Sequence, residues 1–162
     1  MTSFGRHTLL LPIGVLLCGS ILAADLNFQG VLIEPPPCTI SNGDTIEVDF
    51  GSHIGVNSVD GATNRHVLDY HLTCDVNSST EGLTLKLFTA TPAVFDSSAV
   101  QTSLPGLGIR LLWNGEPANF DRVIQVDPVN MPVLEGVPVK SPGITLSEGQ
   151  FEAYVTLQVI YQ

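Results

Sequence analysis

Residues 149–162 read GQFEAYVTLQVIYQ and alternate apolar with polar or small side chains up to the C-terminus. Phe151, Ala153, Val155, Leu157, Val159 and Tyr161 share one face of an extended chain, with Glu152, Thr156 and Gln158 on the other. Period two over this length specifies a half-buried β-strand, because a helix would scatter the same side chains around its circumference. Chain ends usually fray. A long apolar strand with nothing after it to pair with therefore leaves an outer edge that needs a cover.

The rest of the chain reads as β in the same way. Residues 45–50, 66–74, 83–88 and 108–113 are each expected to form a strand. Turn residues separate them: Asn42-Gly43-Asp44, Asp60-Gly61, Asn77-Ser78-Ser79, Asn114-Gly115 and Ser141-Pro142-Gly143. No window carries a helical period. Short strands with this punctuation predict a β-sandwich. Residues 118–142, rich in Pro and Val, are expected to hold one or two edge strands, since proline cannot donate to a ladder.

The first 24 residues have the pattern of an export signal. Arg6 and His7 precede an apolar run from Leu9 to Leu22, and the small residues Ala23 and Ala24 follow. Cleavage is expected after Ala24, which would discard Cys18 and leave Cys38 and Cys74. Two cysteines in an exported chain read as one disulfide; closing a loop of about 37 residues stabilises by about 3–4 kcal/mol on the chain-entropy estimate. A zinc site would need metal-ligand spacing, which His53, His66 and His71 do not make with the cysteines. Six basic against sixteen acidic residues give a net charge of −10, which argues against nucleic acid or an anionic membrane surface as partner.

Residues 25–33 form a second isolated strand pattern. Leu26, Phe28, Gly30 and Leu32 lie on one face, and Glu34-Pro35-Pro36-Pro37 then stops the strand and stiffens the chain. Such a segment can be the first strand of its own sandwich, or a strand intended for the sheet edge of another molecule.

These features together resemble a minor subunit of bacterial chaperone–usher pili, similar to the small tip subunits and adaptors of P and type 1 pili. The resemblance spans essentially the whole chain after the signal. It rests on the alternating N-terminal segment with its mid-strand glycine, Pro37-Cys38-Thr39-Ile40, Cys74 closing a strand, and residues 106–112 (GLGIRLL). Gly149, fourteenth from the end, and the penultimate Tyr161 complete it. The resemblance implies an all-β, incomplete immunoglobulin-like sandwich that lacks its last strand. A donor strand from a periplasmic chaperone, and then from a neighbouring subunit, would complete it. The implied divisions are a signal at 1–24, a donor extension at 25–37 and a pilin domain at 38–162.

The same resemblance assigns roles to residues. Leu26, Phe28, Gly30 and Leu32 would be the donor face. Gly149, Phe151, Val155, Leu157, Val159, Tyr161 and Gln162 would border the acceptor groove and carry chaperone recognition, with the Gln162 carboxylate held by basic chaperone residues. Cys38 and Cys74 would staple the fold during export. The implied partners are the chaperone, the outer-membrane usher and neighbouring subunits, one of which could be an adhesin. The implied location is a fimbrium on a Gram-negative cell surface, reached through the periplasm. The short donor segment, close to the mature N-terminus, favours a tip or adaptor station. A terminating or anchoring subunit of the same pilus is the alternative.

Other classes of function find less support in the residues. No nucleophile elbow or other catalytic spacing occurs. Asp69 and His71 share a strand face and are expected to face solvent, so no catalytic residue is assigned. Asp44, Glu47 and Asp49 are too sparse for calcium, and no metal or cofactor is expected. A two-domain adhesin needs a lectin domain, for which the roughly 138 residues after the signal leave no room. A single-domain adhesin remains open, with Trp113 beside the Asn114-Gly115 turn as the candidate to stack on a sugar.

Overall fold

The computed structural model describes residues 26–32, 38–75 and 81–161, with only the backbone of Tyr161. The expected signal, Asp25 and Gln162 lie outside these residues. Residues 26–32 belong to one structural unit and residues 38–161 to another. In the first unit, residues 26–32 form no ladder, and Leu26, Phe28, Val31 and Leu32 are each at least 79% exposed.

The second unit is built from short strands: β1 (Cys38–Ile40), β2 (His66–Leu68), β3 (Leu72–Cys74), β4 (Leu83–Phe88) and β5 (Ala99–Gln101). There follow β6 (Leu107–Trp113), β7 (Glu116–Pro117), β8 (Val123–Gln125), β9 (Leu134–Lys140) and β10 (Thr156–Tyr161). One sheet has the order β10-β4-β8 and the other β2-β9-β6-β5, with β7 hairpinned onto β6; β1 and β3 form a separate pair. Every pairing is antiparallel. The core includes Leu87 of the first sheet together with Val100, Ile109, Leu111 and Leu134 of the second, all nearly inaccessible to solvent. This is the expected all-β sandwich, of immunoglobulin-like type.

Local chemistry explains several elements. Asn114 and Gly115 both have positive φ (49° and 84°), as a two-residue turn needs if its twist is to match the strands it joins. Trp113 and Glu116 consequently face each other across β6 and β7. Cys38 and Cys74 are directly opposed in the β1–β3 register and form the expected disulfide. The Tyr70 hydroxyl donates to the Pro132 carbonyl, and its ring meets Trp113 edge-on at 6.3 Å. Trp113 is thus half-buried in the main cluster rather than fully presented to solvent.

Four expectations need correction. Residues 66–74 are two strands rather than one: β2 pairs with β9, whereas β3 pairs with β1, and the chain changes sheets at Asp69-Tyr70. Residues 118–142 contain one edge strand, β8, but also β9, which lies between β2 and β6 and is buried along most of its length. Pro138 is tolerated there because the β2 ladder ends at Gly136, beyond which β9 has only β6 beside it. Residues 45–50 form no ladder, and the C-terminal ladder begins only at Thr156. Both of these last differences arise at one gap, where no strand adjoins among the described residues.

Burial raises the Tyr70 hydroxyl pKa to about 12. Because the folded value lies above the ordinary value, the contribution of Tyr70 to stability is complete below about pH 10 and is lost as pH rises towards about 12. A spectrophotometric tyrosine titration should show a late phase near pH 12 that Tyr70→Phe abolishes. A Leu85→Ala substitution at a fully buried β4 position should cost about 2–5 kcal/mol in denaturant unfolding.

Candidate functional site: an open groove beside the C-terminal strand

β10 is anchored on one side only. Thr156 stands opposite Phe88 and Tyr161 opposite Leu83 in its ladder with β4. Cα atoms of β1 come within 8 Å of β10, but no ladder joins the two among the described residues. N-terminal to β10, residues 151–155 continue extended, held by bonds on alternate residues. The Ser103 N–H donates to the Glu152 carbonyl (2.9 Å), the Glu152 N–H donates to Ser103 Oγ (3.1 Å), and Thr89 Oγ1 donates to the Tyr154 carbonyl (3.3 Å).

In an extended chain, neighbouring residues aim their backbone groups to opposite sides. Those of Phe151 and Ala153 therefore face away from Ser103 and Thr89. Among the described residues they meet no hydrogen-bond partner. The backbone of residues 45–50 is likewise without one. Its side chains nevertheless alternate as in a strand: Ile46, Val48 and Phe50 are half-buried, whereas Thr45, Glu47 and Asp49 are exposed.

These two unpaired segments are the lips of a groove of about 430 Å³. Its floor is Leu68, Val100, Ile109 and Leu111, side chains of the opposite sheet. The floor of this slot thus belongs to the core itself, with Val100, Ile109 and Leu111 nearly inaccessible to solvent. Phe151, Ala153, Val155 and Leu157 pack against the main core cluster yet remain only partly covered. At one end the lips meet, with the Phe50 and Phe151 rings 6.0 Å apart and Phe50 also edging onto His66. Beyond that contact lies a hollow of about 820 Å³ that reaches Gly149 and Ile54. Gly149 has φ +155°, a backbone conformation that side chains disfavour, while the nearest side-chain atom to a Cβ there would be at an ordinary 3.4 Å. Its role is to turn the chain into the lip, not to leave space.

Phe151, Val155 and Leu157 pack with Ala153 against the main core cluster, and Phe151 and Val155 line the groove; Gly149 is exposed at the neighbouring hollow, and Val159 is half-buried opposite Leu85 in the β10 ladder. The Tyr161 backbone continues that strand; its side chain, and Gln162, lie outside the described residues. Leu26, Phe28, Gly30 and Leu32 are all exposed. Sequence reasoning missed the second lip, Ile46, Val48 and Phe50, although the signal was present as alternation in residues 45–50. It also missed the floor, which only the sheet order can bring under the slot. Asp69 and His71 are exposed, and among the described residues no three His, Cys, Asp or Glu side chains converge on a metal position.

A family model described as fimbrial protein matches residues 26–162. The fimbrial-like protein YfcQ of Escherichia coli K12 is 37% identical over 142 residues, covering 85% of this chain and 87% of that one. The minor fimbrial protein PrsF of Escherichia coli is 27% identical over 163 residues, covering 92% and 95%. Among solved structures, the P pilus adaptor subunit PapF superposes with a TM-score of 0.58 at 23% identity, covering 80% of this chain and 98% of PapF. At that identity the superposition speaks for the fold.

Amide hydrogen exchange on the isolated chain should distinguish the lips from the sheets. The amides of Val48 and Ala153 should exchange on the order of 10³-fold faster than that of Leu111, whose N–H donates to the Ser98 carbonyl at 2.9 Å. Equal protection at Ala153 and Leu111 would contradict an open groove.

Proposed function

The chain belongs to the fimbrial protein family, and we propose that it is a structural subunit of a chaperone–usher pilus that polymerises by donor-strand exchange. The observation that carries this reading is the slot itself: an apolar floor between two extended lips whose inner backbone groups have no partner among the described residues. A single inserted strand satisfies both edges at once. It would bond to Phe151 and Ala153 on one side and to residues 45–50 on the other, and bury alternate side chains on Val100, Ile109 and Leu111.

On this reading a periplasmic chaperone fills the groove first, with the C-terminal segment through Gln162 as its recognition edge. The outer-membrane usher then exchanges that strand for the N-terminal segment of the next subunit. The present chain's own residues 25–37 serve as a donor in turn, with Leu26, Phe28 and Leu32 as anchors and Gly30 where the recipient groove is shallow. Each large anchor contributes up to about 1.5–3 kcal/mol from burial. The similarity to a minor fimbrial protein supports a minor station, at the tip or as an adaptor. The role is structural rather than enzymatic, at the bacterial surface.

The test is complementation in cis. An alternating donor strand, joined by a flexible linker after Gln162, should raise the thermal midpoint by at least about 10 °C, because several kcal/mol of burial acts on a domain of this size. An unmodified chain that is already equally stable, unaffected by the added strand, would refute the groove reading.

A further inference from the structure

The lips of the groove carry one sign of charge. Glu47 and Asp49 stand exposed on one lip and Glu152 on the other. Glu148 extends the series into a second hollow of about 450 Å³, which shares Gly149 and Phe151 with the first. No Lys or Arg lines the groove or those hollows. Three of the five basic residues beyond residue 24 are engaged elsewhere: Arg65 with Glu135, Lys86 with Asp121 and Arg110 with Asp96. Arg122 lies in a separate pocket with Trp113 and Glu116, and Lys140 lies in another beside Gly61.

The rim carboxylates have no cationic partner within the described residues. Asp49 accepts the Gly51 N–H and Glu152 accepts the Tyr154 hydroxyl, both neutral donors. A strand lying in the slot presents its outward side chains between the two lips, within cross-strand distance of Glu47 or Asp49 on one side and Glu152 on the other. The other outward lip residues, Thr45 and Tyr154, are uncharged, so the negative charge concentrates where the strand passes Glu47, Asp49 and Glu152.

The chain's own donor segment is a poor match to this rim. Between the anchors Leu26, Phe28, Gly30 and Leu32 stand Asn27, Gln29 and Val31, with Asp25 and Glu34 at the flanks; residues 25–37 contain no Lys or Arg. We infer, on the reading of the groove as a strand acceptor, that it selects its partner by charge. It takes a strand of a different chain that bears Lys or Arg between its apolar anchors, and it disfavours residues 25–33 of a second copy. Directionality then follows from chemistry: a neutral-to-acidic donor at one end and a base-seeking acceptor at the other prevent the subunit from repeating itself.

The test uses fluorescent peptides of residues 25–37, titrated into the purified chain at low and high salt. One peptide is natural, one carries N27K/Q29K/V31K and one carries N27E/Q29E/V31E. Opposite-charge cross-strand pairs are worth about 1.4- to 5-fold each, so the lysine peptide should bind on the order of tenfold tighter than the natural one at low salt, and the glutamate peptide more weakly. The ranking should collapse towards equality at 1 M salt. It should also collapse in E47Q/D49N/E152Q, whose folding is checked by its circular dichroism and by a thermal midpoint equal to that of the unaltered chain. E47Q and E152Q alone should each remove part of the effect. Equal affinities at low salt, or a preference that survives high salt, would overturn charge selection and leave the acceptor groove standing. No binding by any of the three would overturn both.

Discussion

One gap in the sandwich, which no strand fills among the described residues, governs the rest of this structure. A sheet edge is stable only where its backbone groups are paired, solvated or covered. Here the edge formed by residues 151–155 runs beside its own hydrophobic core. Phe151, Ala153, Val155 and Leu157 belong to the same cluster as the fully buried Leu87, Ile109 and Leu134, so they cannot simply be surrendered to water. The core has been built to a width that the described strands do not close.

The slot is held open by restraints on both lips. β10 is fixed by its six-residue ladder with β4, and residues 151–155 by Ser103 and Thr89. The other lip grows out of β1, which the Cys38–Cys74 disulfide ties to β3, and the Ser41 N–H donates to the His71 carbonyl at 2.8 Å just beyond it. The lips come together at the Phe50–Phe151 contact. The disulfide therefore does more than cross-link a loop. It sets where the second lip begins.

Much of this was legible in the amino-acid order, and the exceptions have physical causes. The alternation in residues 151–159 survives into the structure because solvent lies on one face and the core on the other, whether or not a ladder exists. For the same reason residues 45–50 look like a strand: side-chain parity records burial, whereas pairing depends on a neighbour the described residues do not supply. The division of residues 66–74 left no trace, since crossing from β9 to β1 at Asp69-Tyr70 preserves the in-out rhythm. β9 was hidden by Pro138, whose tolerance depends on how far β2 extends. The floor residues Val100, Ile109 and Leu111 read only as core, because nothing local distinguishes a roofed side chain from one beneath a slot.

The central claim is that the gap between residues 45–50 and 151–155 has the dimensions and bonding pattern of one β-strand. Crystallographic determination of the chain with an alternating strand tethered after Gln162 measures this directly. The account predicts ladders from the added strand to Phe151 and Ala153 on one side and to residues 45–50 on the other. Its anchors should rest on Val100, Ile109 and Leu111, and Phe50 and Phe151 should be parted. Lips closed upon each other, with the added strand lodged elsewhere, would contradict it.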